Sequence, residues 1–87
     1  MEFEYDEAKS RSNKSKHGID FIEGQLLWED SERVEIPAKT EDEERFVAVG
    51  TGSAGIILVV VYTLRGEEIR LISARHATRH EVKSYES

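Results

Sequence analysis

Arginines flank or end the apolar segments of the second half of the chain: Arg45 opens one, Arg65 closes another, and Arg70 and Arg75 lie within and at the end of a third. A guanidinium stays protonated and its planar fork donates to two oxygens of one phosphate, so Arg45, Arg70 and Arg75 are candidates for stabilising anionic charge. Each is equally readable as an ordinary surface arginine, yet arginines near the ends of paired strands can converge where isolated ones cannot. An imidazole can both take and give a proton, so His17 suits proton transfer. It also suits a helix end, where a cation complements the helix dipole. Glu81 and Tyr85 share a helix face and suit a proton relay, or Tyr85 simply packs on a sheet. Lys9, Asn13, Lys16 and His17 fall on one helical stripe, able to hold phosphates or only to face solvent. His76 and His80 make a weak metal signal without further ligands.

The charge balance of these residues is uneven. Net charge is −6, and Glu29 to Glu44 holds eight acids against Arg33 and Lys39, which equals the whole excess. Basic residues cluster instead at Lys9, Arg11, Lys14 and Lys16, and again at Arg65, Arg70, Arg75, Arg79 and Lys83, two patches that can form one site if the fold brings them together. With 87 residues and no cysteine, a single domain spanning 1–87 without disulfides or thiolate metal sites is expected, in a reducing cytoplasm. The N-terminus is charged and the longest apolar run is short of the roughly 20 residues that cross a bilayer, so a soluble protein with no membrane partner is expected.

The elements that must position these side chains centre on Ile56 to Leu64, a continuous apolar run bounded by Gly55 and Gly66 that reads as a buried central strand. Arg65-Gly66-Glu67 is its turn. Ile69 to Arg75 alternates, with Ile69, Leu71 and Ser73 expected on one face and Arg70, Ile72 and Ala74 on the other. Upstream, Phe3-Glu4-Tyr5 is a short strand, and Asp6 caps a helix that Gly18 stops, with Ala8 its clearest core residue. Asp20 and Glu23 open a second helix whose Phe21, Ile22, Leu26, Leu27 and Trp28 supply core. Arg33 to Ile36, before Pro37, is an edge strand. An acidic loop from Ala38 to Glu44 follows, then a strand Arg45 to Val49 with Phe46 and Ala48 on one face, and a final helix from about His76 to Tyr85. The expected order is β-α-α-β-β-β-α, an α+β fold on a three- or four-stranded antiparallel sheet with both early helices on one face.

Several separated blocks together carry a family resemblance. They are Phe3-Glu4-Tyr5-Asp6 with Lys9, Asn13 and Lys16-His17-Gly18-Ile19 with Phe21, then Glu44-Arg45-Phe46, Gly50, Leu58 to Thr63 with Arg65, and Arg70 to Arg75 with Ala77, Glu81 and Tyr85. In these the chain resembles BrnT-family toxins, the ribonuclease half of BrnT/BrnA type II toxin-antitoxin pairs, nearly end to end. Tyr5 stands where family members often have Trp, and Tyr62 where they often have His.

The resemblance implies a RelE-like fold, cleavage of RNA without metal or other cofactor, inhibition of translation, and a hetero-oligomer with a BrnA-like antitoxin that carries a DNA-binding segment. Such cleavage needs a base for the 2′-OH, cations for the phosphorane and an acid for the leaving 5′ oxygen. Arg45, Arg70 and Arg75 then stabilise charge, His17, Glu81 or Tyr85 moves protons, and Lys9, Asn13, Lys16, Arg65 and Arg79 hold RNA. The alternative is a non-catalytic module that binds a DNA-binding antitoxin and acts in autoregulation. An enzyme gathers the basic residues of helix, sheet and tail on one surface; an interaction module disperses them and exposes an apolar face.

Overall fold

The apolar run folds as the middle strand of a sheet. The computed structural model describes residues 2–38 and 43–87. Its elements are β1 (Glu2–Glu4), α1 (Glu7–His17), α2 (Phe21–Gly24) running into a 3-10 turn (Gln25–Glu29), β2 (Val34–Ala38), β3 (Arg45–Thr51), β4 (Ile57–Arg65), β5 (Glu68–His76) and α3 (Arg79–Glu86). The strands lie in the order β1-β5-β4-β3-β2. The sheet therefore has five strands rather than three or four, and it is mixed: β1 runs parallel to β5, the other pairs antiparallel. A strand of three residues with two helices before its neighbours carries no hairpin signal, so its pairing was not legible. Residues 39–42 of the acidic loop lie outside the described residues. No described helix is long and apolar enough to cross a membrane.

Local signals at α1 hold. Asp6 accepts from the Lys9 N–H, and Gly18 ends the helix at φ 77°, a left-handed conformation that glycine adopts without a Cβ penalty. The face that docks is not the expected one. Ala8 is exposed, and the buried residues are Ser10 and Asn13. Ser10 Oγ accepts from the Phe21 N–H at 2.9 Å. The Asn13 amide donates to Ile19 O and Ala74 O, both at 2.7 Å, while its oxygen accepts from the Ala74 N–H at 3.3 Å. β1 pairs with β5 only as far as Arg70, so Asn13 meets backbone groups that no strand satisfies.

The second helix departs from expectation in the same region. After four residues it tightens into the 3-10 turn, and burial follows a period of three: Phe21, Gly24 and Leu27. Ile22 and Leu26 therefore turn outward, at 63% and 38% exposure, and are not core. Gly24 sits where an added Cβ would come within 3.4 Å of the Ala74 Cβ, so the turn rests directly on β5. The core joins Phe21, Leu27, Ile19, Ala48, Leu58, Val60, Tyr62, Ile69, Leu71 and Ala74, with Phe3, Tyr5, Trp28 and Phe46 packed around it. Trp28 meets Phe3 and Tyr62 edge-on, and Phe46 stacks on Tyr62.

Candidate active site

The opposite face of the sheet carries the arginines, and on β5 a β-bulge brings Arg70 and Arg75 to it together. Arg70 pairs with Thr63, Ser73 with Val61 and Arg75 with Val59, but Leu71 pairs with Tyr62, so Ile72 is surplus and the alternation is re-phased. Ala74, fully buried, joins Ile69 and Leu71 on the core face. Ser73 moves to the other face, contrary to strict alternation, and stands between Arg70 and Arg75. On β3, Phe46 and Ala48 face the core as expected, which leaves Arg45, Val47 and Val49 on the arginine face. Arg45, Arg70 and Arg75 thus share one face across three adjacent strands.

Each of the three already has an internal carboxylate. Arg75 grips Glu81 with both terminal nitrogens at 2.8 Å, and Nη1 also donates to His76 O at 3.2 Å. Arg70 donates to Glu4 at 3.3 Å, with Arg65 at 3.9 Å from the same oxygen. Arg45 Nε lies 3.9 Å from Glu43, too long for a hydrogen bond. These contacts shift the acids. Glu81 is held down at about 2 by the Arg75 fork and the Thr78 N–H. Glu4 is lowered, first by a hydrogen bond with Glu68, whose own carboxyl is pushed up by the same contact.

The stripe on α1 lies at the open edge of β5. Lys9, Ser12, Asn13, Lys16 and His17 line a hollow of about 220 Å³ together with Ile72 and Ser73. Lys16 and His17 make no side-chain hydrogen bond or ion pair with a described residue. Ser73 belongs both to this hollow and to the arginine face, where residues two apart are about 7 Å apart along a strand. The two basic patches therefore meet at Ser73. Asn13 is at the same place, but its two amide hydrogens are engaged by backbone oxygens, so its role in this structure is to seat α1.

Not every candidate is gathered. Arg79 opens α3 beyond the far end of β5, whereas Arg65, at the hairpin, shares the Glu4 carboxylate with Arg70 and stands at that end of the arginine face. His76 ends β5 and only His80 is on α3, so the pair is not one helix face. Glu81 and Tyr85 do share α3, but Tyr85 donates its hydroxyl to Asp30. That bond raises the phenol and holds Asp30 at about 2, helped by the Thr51 and Glu32 N–H groups. Sequence reasoning missed Ser73, Asp30 and Glu4. Their roles come from the bulge and from contacts between distant segments, for which the local sequence has no signal.

α3 crosses the arginine face beside a hollow of about 260 Å³ lined by Val34, Ile36, Val47, Val49, Glu81, Ser84 and Tyr85. Val34 and Ile36, on the edge strand, are 46% and 51% exposed. The molecule thus combines a gathered basic surface with an exposed apolar strip.

The sequence and the fold have counterparts among known proteins. A family model described as "Ribonuclease toxin, BrnT, of type II toxin-antitoxin system" matches residues 5–81. Among solved structures, the crystal structure of the Brucella abortus ribonuclease toxin BrnT is 28% identical and similar at a TM-score of 0.68, covering 91% of this chain and 99% of that one. No match was found among curated proteins.

Proposed function

Because the chain belongs to the BrnT family of ribonuclease toxins from type II toxin-antitoxin systems, we propose that it cleaves single-stranded RNA at the face bearing Arg45, Arg70 and Arg75, with no metal required. The 2′-OH attacks the adjacent phosphorus, the bond to the 5′ oxygen breaks, and the three arginines stabilise the charge of the phosphorane. Lys9 and Lys16 hold the RNA backbone at the rim. His17 moves the protons, since Glu81 is clasped by Arg75 and Tyr85 by Asp30. The observation that carries this reading is the shared face of the three arginines, joined through Ser73 to the hollow of Lys9, Lys16 and His17.

In the cytoplasm this cleavage would inhibit translation, and a BrnA-like antitoxin with its own DNA-binding segment would neutralise it in a hetero-oligomer. The exposed Val34 and Ile36 strip supports such a partner. So does the small size of the chain, which a partner stabilises by mass action. The two N-terminal helices packed on the core face of the sheet support a RelE-like fold for this function. A non-catalytic antitoxin-binding module is the second reading, favoured by that apolar strip alone.

Expression of the chain without its neighbour, followed by growth and RNA integrity, tests the proposal. Growth arrest with RNA cleavage is expected, insensitive to EDTA and absent on a 2′-deoxy substrate. Removing one charge-stabilising donor typically costs about 10²- to 10³-fold, so Arg75→Ala and Arg70→Ala should each abolish arrest. Toxicity and cleavage unchanged in Arg45→Ala, Arg70→Ala and Arg75→Ala, or cleavage stopped by EDTA, would overturn it.

A further inference from the structure

α3 is tied to the body by polar contacts at both ends. Near its start, the Glu81 carboxylate receives the Arg75 fork and the Thr78 N–H, each at 2.8 Å. Near its end, Tyr85 donates to Asp30, which also accepts from the Thr51 N–H at 2.8 Å and the Glu32 N–H at 2.9 Å. Between the ties no residue of the helix is buried, and a hollow remains between it and Val47 and Val49. An eight-residue helix is not stable by itself. These two contacts therefore help to hold its position, with the Ala77 N–H bonded to Ile57 O just before it.

The first contact fills the site itself. A guanidinium fork takes a carboxylate and a phosphate in the same bidentate geometry, so the Glu81 oxygens occupy positions that two phosphate oxygens would take. We propose that Glu81 is an internal stand-in for an RNA phosphate: it holds the Arg75 fork in the free protein, and a backbone phosphate enters by displacing it as α3 lifts, a movement that the Tyr85–Asp30 contact restrains. Glu81 is then a competitor of the substrate and not its acid or base. This inference rests on the ribonuclease reading of the face.

Binding of a non-cleavable 2′-O-methyl single-stranded RNA, followed by fluorescence anisotropy at low salt, tests it. Glu81→Gln removes the ion pair but keeps a side chain that completes the capping box with Thr78. Tyr85→Phe loosens the helix without touching Arg75. Glu81→Gln should bind about five-fold more tightly than wild type, the equivalent of one exposed ion pair at about 1 kcal/mol, and Tyr85→Phe should also bind more tightly than wild type. Arg75→Ala should bind more weakly, and adding Glu81→Gln to it should change nothing further. The proposal is overturned if Glu81→Gln and Tyr85→Phe bind no more tightly while Arg75→Ala binds more weakly, or if Glu81→Gln cleaves RNA ten-fold more slowly with binding unchanged. If wild type cleaves RNA and Arg75→Ala binds and cleaves as wild type does, this inference alone is overturned; if wild type neither binds nor cleaves RNA, the ribonuclease reading fails and this inference falls with it.

Discussion

Arg70 and Arg75 stand on the same face of β5 although they are an odd number of residues apart, Arg70 beside Thr63 and Arg75 beside Val59. In a regular strand they would point to opposite sides of the sheet. The surplus residue at Ile72 removes the conflict, keeping Ile69, Leu71 and Ala74 in the core and both guanidinium groups outside it.

Removing Ile72 should accordingly leave the phase of both faces intact. Its deletion should cost no more than about 2 kcal/mol, within the range of ordinary single changes, and leave a cooperative thermal transition by circular dichroism. An alanine inserted between Ser73 and Ala74 turns Ala74 out of the core and should abolish that transition. Loss of cooperative unfolding in the deletion would show that Ile72 is not surplus.

Asn13→Ala should destabilise the chain strongly although the residue lies in a charged helix. It strips partners from Ile19 O and from both backbone groups of Ala74. Unmet buried groups cost about 1–3 kcal/mol each before relaxation, so a total of about 2–4 kcal/mol is expected in urea unfolding. A change below about 0.5 kcal/mol would mean that the β5 edge is sealed by other contacts.

Adjacent residues of α2 should behave oppositely. Phe21 is fully buried and Ile22 is 63% exposed. Phe21→Ala should cost about 3–5 kcal/mol, and Ile22→Ala should remain within about 0.5 kcal/mol. Equal losses would return Ile22 to the core.

The Arg75–Glu81 contact should make stability depend on acid pH. Glu81 is held at about 2 against an ordinary 4.5. Because the unfolded chain takes up the proton first as pH falls, the stabilisation is complete above about pH 4.5 and is lost as pH drops towards 2. Both side chains are partly exposed, so about 1 kcal/mol at most is expected, or about 4–8 °C in Tm. The Tm gap between wild type and Glu81→Gln should be present at pH 7 and closed near pH 2. A gap that is the same at both would assign the stabilisation to something other than this ion pair.

The sequence alone determined what depends on neighbouring residues. Asp6 and Gly18 bound α1, Pro37 marks β2 as an edge strand, and the β-branched run of Ile56 to Leu64 is the middle of the sheet, because caps, proline and hydrophobic runs act within a few residues. The family blocks located most of the arginine face by residue type. What tertiary structure decided was phase and partnership. One extra residue at Ile72 reverses which side chains face out, and a period-two reading has no means to see it. α1 docks through Ser10 and Asn13, so its hydrophobic pattern is silent about its buried face. Glu4, Asp30 and Glu81 hold Arg70, Tyr85 and Arg75, and two of these three pairs span more than fifty residues. Such contacts form only after the chain has closed long loops, so local sequence carries no trace of them.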